Sequence, residues 1–238
     1  MSADSNGSRA KARKAKSRSE AGRRPYLAAA ERRKRIIAAA QEVFAQTSLQ
    51  GARTRDLAKA AATSQATLFE HFESKEALFQ AAVVEPLLEA MRGMSDRAKG
   101  YEFANSFEQL DRLGRASAEV NAELMAKIFP FFTAALFSDL AFGKQLYRER
   151  IEPLLGDRAR AMSSLVKDSL DPNFVELAVF GVYFALAMDR AFVGKRWDTP
   201  ALIDQIAVFF TSGFLKDPHT AGTRVKGGAR RGRDRNGK

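Results

Sequence analysis

The 238-residue chain has no cysteine, two histidines and one tryptophan. Without cysteine there can be no disulfide framework, thiolate nucleophile or cysteine-bound metal. His71 and His219 cannot supply the paired helical histidines of zinc or di-iron motifs, so neither a metal nor another cofactor is expected. The longest uncharged run, Leu177–Met188, has 12 residues, against the ~20 that cross a bilayer. The N-terminus is basic and lacks the apolar stretch of a signal peptide. The expectation is a cytoplasmic protein with no membrane partner. Nucleophile elbows, phosphate loops, aspartate-rich metal motifs and Glu-x-x-His pairs are missing too, which argues against an enzyme.

What the chain does have is an uneven charge. Of the net +11, residues 1–25 carry eight bases against two acids, and residues 216–238 again eight against two. The 190 residues between them, 26–215, hold 23 bases and 24 acids. Two basic arms on a neutral body call for a polyanionic partner, nucleic acid before an anionic membrane. Both arms are rich in Lys, Arg, Ser, Gly and Ala and too poor in large apolar residues to offset ordering entropy. Disorder is expected for 1–25 and 216–238.

The body reads as all-α, because Val, Ile and Thr never alternate over a strand length and hairpin dipeptides are absent. A first helix is expected from Pro25 to about Gln46, with Ile36, Ile37, Ala40, Val43 and Phe44 on its apolar side. Thr54 is read as the N-cap of a short helix through Leu57 and Ala61. Gln65 to Phe72 forms a second short helix, and Ser74 caps a longer one. Two short helices joined by a tight turn form a helix-turn-helix, whose second helix lies in the DNA major groove. Residues 26–80 are assigned to this DNA-binding domain and 81–215 to a helical domain for ligand binding and dimerisation.

In that second domain, Phe103–Lys127, Ile128–Phe137 and Asp139–Leu170 read as helices, the last broken near Pro153 or Gly156. Asp171-Pro172 and Thr199-Pro200 each start another. Those last two are apolar nearly all round, with only Glu176, Asp189 and Arg190 charged in 174–193. Such helices need cover on several sides. They are either central core helices or the seam with a second copy, for which Phe174, Leu177, Gly181, Phe184, Ile206 and Phe210 are the candidate residues. Residues 103–214 contain 14 of the 18 Phe. Phe103, Phe107, Phe131, Phe132 and Tyr147 are candidates for an apolar effector cavity, with Leu110, Phe129, Leu136 and Phe142 beside them. Arg112, Asn121, Arg148 and Tyr183 are further candidates for orienting a ligand.

Arg35 to Phe79 adds a more specific signal. The segments Thr54-Arg-Asp-Leu-Ala-Lys-Ala-Ala, Ser64-Gln-Ala-Thr-Leu-Phe-Glu-His-Phe and Ser74-Lys-Glu-Ala-Leu-Phe resemble the DNA-binding domain of TetR-family transcriptional regulators. The resemblance implies a homodimeric, ligand-responsive regulator, usually a repressor, bound to double-stranded DNA at a palindromic operator. It places Gln65, Ala66 and Thr67 at the bases, and Thr54, Phe69, His71 and Lys75 at phosphates. Arg33, Arg53, Arg55 and Ser64, on the same elements, are added as phosphate candidates. The chemistry agrees, since Gln can pair bidentately with adenine and Thr offers a hydroxyl and a methyl. His71 also suits a helix end without DNA. The family's turn glycine is Ala62 here, its recognition-helix glycine is Ala66 and its phosphate-binding tyrosine is Phe69. A nonspecific DNA-compacting protein driven by the basic arms is the competing reading.

Overall fold

A computed structural model describes residues 29–104, 106–194 and 199–215. The basic arms lie outside the described residues, as does the side chain of Phe107. Among the described residues there is no strand; an isolated antiparallel bridge, Val166 to Leu215, is the one extended pairing.

Helix α1 covers residues 29–51, and α2 (Thr54–Ala60), α3 (Gln65–His71) and α4 (Lys75–Phe79) follow. A π-helical turn at Gln80–Val84 carries α4 into α5 (Glu85–Lys99). After a 3-10 turn, α6 runs from Phe107 to Phe132 and continues through a π turn at Thr133–Phe137. Then come α7 (Leu140–Leu146), a third π turn (Tyr147–Ile151), α8 (Glu152–Met162), α9 (Pro172–Val193) and α10 (Thr199–Phe214).

Several expected boundaries move. Thr54 is not the N-cap of α2. Arg53 holds that place in extended conformation (φ −93°, ψ 138°) without a side-chain cap. The break foreseen after Lys127 is absent. Pro130 sits inside α6, and its carbonyl accepts from the Thr133 hydroxyl at 2.8 Å where the π turn begins. Pro153 and Gly156 do not end α8 either; Pro153 follows directly on the π turn at Tyr147–Ile151, where the helical hydrogen-bond pattern has already shifted. Of the expected start signals, Ser74 and Asp171 accept backbone N–H groups at the starts of their helices. Thr199 is the first residue of α10 rather than the one before it. Ser64 and Asp139 cap α3 and α7 as well. Gly194, at φ 69°, closes α9 in the left-handed conformation that favours glycine.

The described residues divide into two compact units, and the division differs from the expected one at residue 80. One unit comprises residues up to 93 together with 124–154; the other comprises 94–123 and 155 onward. Residues 124–154 join the first unit because its aromatic core needs them. Phe79 meets Phe44 edge-on at a ring separation of 5.0 Å and Phe142 at 6.2 Å, and Arg150 pairs with Glu85 at 3.2 Å. Phe44 and Phe79 are fully buried there. Residues 108–137 are long and apolar enough to span a bilayer by length and composition. Met125, Ile128, Phe129 and Phe132 are instead buried in protein.

Candidate nucleic-acid interface

Helix α3 is only two turns long, so its direction is set by its caps and by what it buries. The Ser64 hydroxyl accepts from the Thr67 backbone N–H at 3.0 Å and donates to Thr67 Oγ1 at 3.0 Å. Leu68 and Phe72, four residues apart, are buried. Gln65, Ala66, Phe69 and Glu70 are exposed, while Thr67 and His71 are half-buried. One side of α3 therefore anchors it and the other presents short polar and apolar groups to solvent, as a reading helix must. The turn before α3 places Ala62 at φ 49°, where a Cβ costs about 1–2 kcal/mol. The backbone thus keeps the glycine-type turn although the glycine is absent.

Cations surround this surface. Arg53 and Arg55 are exposed at the start of α2, and the nearest carboxylate to Arg55 is Asp56, at a loose 3.9 Å. The Arg33 guanidinium lies 4.3 Å from the centre of the Phe72 ring, a stacking that holds it beside the end of α3. Lys75 is more constrained than its sequence position suggested. Its ammonium donates to the Ala52 carbonyl at 3.2 Å and ties the end of α1 to the start of α4. Phe69 is 43% exposed and presents an apolar ring to solvent.

The second unit contains a cavity with about 60 Å³ open to the centres of water molecules. Leu110, Asn121 and Tyr183 are on its wall, but Phe103, Phe131, Phe132 and Tyr147 are not, nor are Arg112, Phe129, Leu136, Phe142 and Arg148. Phe103 is 78% exposed, and Phe131, Phe132 and Tyr147 belong to the other unit. The Phe-rich stripe was read as cavity lining, yet in α6 its Phe129 and Phe132 are buried core residues. Sequence reasoning missed Arg97 and Arg158 on the cavity wall. Arg97 donates from Nε and Nη2 to the Asn121 side-chain oxygen, at 3.3 and 2.9 Å. Arg158 lies 3.2 Å from Glu176, both almost fully buried. Burial pushes the Glu176 carboxyl up to about 7, against the pull of Arg158, and raises Tyr101 and Tyr183 above the usual tyrosine range. A signal for the pair was present, since a lone Glu176 in the apolar stretch before Asp189 needs a buried partner.

Of the candidate dimer residues, Phe174 and Leu177 are 59% and 55% exposed, Gly181 is exposed and Phe184 half-buried. Ile206 is buried within its own unit, and Phe210 lines the cavity. Ile206 is therefore covered by its own chain, Phe210 is half-buried, and the exposed apolar residues on α10 are Val208 and Phe209. The sequence showed a helix apolar all round but not which side its own chain covers.

Comparison with known proteins agrees with this geometry. Residues 36–82 match the family model described as bacterial regulatory proteins, tetR family. UidR of Escherichia coli K12, an HTH-type transcriptional regulator, is 34% identical over 73 residues, which are 31% of this chain and 37% of UidR. The match therefore spans little more than a third of that relative. The Bacillus subtilis transcriptional regulator FadR, solved in complex with stearoyl-CoA, is 18% identical with a TM-score of 0.57, covering 76% of this chain and 98% of FadR. NalD of Pseudomonas aeruginosa, the secondary repressor of the MexAB-OprM multidrug efflux pump, is 15% identical with a TM-score of 0.58, covering 79% and 99%. At such identities these two likenesses are of fold: an N-terminal helix-turn-helix followed by a helical domain. Over residues 36–82 the chain carries a helix-turn-helix domain of the bacterial regulatory proteins, tetR family.

Proposed function

We propose that the protein is a cytoplasmic transcriptional regulator, a repressor that binds a palindromic operator as a homodimer and is released by a small, lipophilic effector. The observation that carries this reading is α3 itself, capped and anchored on one side and flanked by Arg33, Arg53 and Arg55. Gln65, Ala66 and Thr67 read bases in the major groove, while the arginines set register on the phosphates. Selection of bound DNA from a random pool tests this reading and should return a palindrome. Operator should be bound ~10³-fold or more tighter than random DNA. Equal binding would favour the nonspecific compactor.

Two substitutions separate reading from positioning. Gln65→Ala should cost about 1–3 kcal/mol on the selected operator and relax base preference at one position per half-site. Arg55→Ala should weaken all sequences alike and lower the slope of log affinity against log salt by about 1. Arg55 is the cleaner probe than Lys75, whose amine also holds the Ala52 carbonyl. A salt titration by fluorescence anisotropy measures both. If Gln65→Ala leaves the selected sequence unchanged, α3 is not the reading helix.

The exposed faces of α9 and α10 suit a second copy. Phe174, Leu177 and Met188 on α9, with Val208 and Phe209 on α10, form apolar surface that an isolated chain would leave in water. Leu177→Glu buries a charge at that seam and should convert dimers to monomers in analytical ultracentrifugation. Operator affinity should fall with it, because one reading head contacts one half-site. A Leu177→Glu protein that stays dimeric would refute this seam. The effector reading rests on the cavity of the second unit, and release is a population shift with a typical coupling of about 1–3 kcal/mol.

A further inference from the structure

The cavity wall is not neutral. Two guanidinium groups, Arg97 and Arg158, face the same space. The carboxylates nearby are largely committed elsewhere. Asp111, also on the wall, is bound by Arg115 at 2.8 Å, and Arg115 in turn reaches Asp204. Glu176 is matched with Arg158 alone. Arg97 has a neutral amide, Asn121, as its hydrogen-bonded partner. Its guanidinium is pushed below the usual arginine range first by burial and then by repulsion from Arg158. Of the two cations, Arg158 is ion-paired with the buried Glu176, while Arg97 feels the charge of its neighbour Asp96 and is bonded to a neutral amide.

The donor inventory agrees. Arg158 is 5% exposed, and its Nε–H has no hydrogen-bond partner; both Glu176 oxygens lack one too, but Glu176 is not on the cavity wall. A buried guanidinium N–H left unpaired is costly, and an acceptor anion would satisfy it. The rest of the wall is apolar: Met162, Leu165, Val175, Val179, Phe210 and Phe214 among others. The open space of about 60 Å³ corresponds to roughly four to six water centres, which suits a compact body.

We infer that the effector is an amphipathic acid, with a single carboxylate held between Arg97 and Arg158 and a compact apolar body against Phe210, Phe214 and Val179. The inference rests on reading this cavity as the effector site and narrows a lipophilic effector to an acidic one. The carboxylate bonds the free Arg158 Nε–H and gives Arg97 the counter-charge that Asn121 cannot. Tyr183 and Asn121 stand on the same wall, and the Asn121 amide oxygen positions Arg97.

Calorimetric titration of the full chain tests this with hexanoate and benzoate, their neutral counterparts hexanol and benzyl alcohol, and hexylamine. The acids should bind about 10-fold or more tighter than the alcohols, as charge-assisted hydrogen bonds require, and the amine weakest. Arg97→Met should remove that preference without orphaning a carboxylate. Arg158→Met/Glu176→Leu, which deletes both buried charges together, should remove it as well. Alcohols binding as tightly as acids would overturn the acid inference and leave the effector cavity standing. Binding of both series unchanged in Val179→Phe, which fills the cavity, would overturn the cavity reading itself. If neither series binds, the acid inference is overturned. In that case, any compound that releases operator from the native chain but not from Val179→Phe would still uphold the effector site.

Discussion

Gly143→Ala is expected to destabilise the N-terminal unit by about 3 kcal/mol, although alanine is the better helix former by about 1 kcal/mol. A Cβ at Gly143 would stand against the Leu136 carbonyl oxygen, 2.9 Å from its carbon and 3.0 Å from the Leu136 Cα. All three are backbone atoms, so no side-chain rotation relieves the clash. Either α7 or the π turn at Thr133–Phe137 has to move. The adjacent Phe142 rests on Phe79, which rests on Phe44, so the displacement reaches the aromatic core beneath the reading head. Urea denaturation should show a lower midpoint, and operator binding should fall at temperatures where the native protein is fully folded. Gly156→Ala is the control. Its Cβ would meet only the mobile end of Arg160 at 3.4 Å, so helix propensity should win and stability should hold or rise. Should Gly143→Ala behave like Gly156→Ala, the close approach at Leu136 is relieved without cost.

That approach was not visible in the sequence, and the reason marks what local reading can achieve. Caps are local: Ser74 and Asp171 announce themselves by residue type and by the helix that follows, and each holds its N–H. The exposed face of α3 was legible because its seven residues, anchored by Leu68 and by Phe72 just beyond its end, leave only one face for solvent. Pairings between distant segments carry no such local mark. Phe142 belongs with Phe79, and 124–154 with the N-terminal helices, through contacts whose partners lie about 60 residues apart. The Phe stripe of α6 has helical periodicity whether it faces a core or a cavity, so periodicity could not choose between them. Lys75 shows the same limit on a smaller scale. Its place at a helix start suggested phosphate, but its amine is held by Ala52, 23 residues back.

The buried pair Arg158–Glu176 should give the largest pH-dependent effect. Removing one partner of a buried ion pair typically costs about 3–5 kcal/mol, because the other charge is left without a counter-charge. Here the cost should depend on pH, since Glu176 can take up a proton. Burial raises its pKa from 4.5 to about 7, with Arg158 pulling the other way. The folded chain therefore holds this proton more tightly than the unfolded chain. The stabilisation is fully present below about pH 4.5 and is lost as pH rises through 7, on the order of 3 kcal/mol. Glu176→Gln should abolish that slope, so the native-minus-variant difference in unfolding free energy should fall between pH 4.5 and 7 and level off above. In Arg158→Met the downward pull is gone, and the loss should continue above pH 7 at about 1.4 kcal/mol per unit. The penalty of Arg158→Met should thus be slight at pH 5 and several kcal/mol at pH 9. Arg158→Met/Glu176→Leu should be pH-independent in this respect and at least as stable as the native chain at pH 8, since apolar packing replaces two desolvated charges. Denaturant titrations at pH 5, 7 and 9 decide the matter. An Arg158→Met penalty equal at all three would mean that Glu176 keeps one protonation state throughout. A native chain that stayed the more stable at pH 8 would mean that the pair is retained for stability rather than for the charge it presents to the cavity.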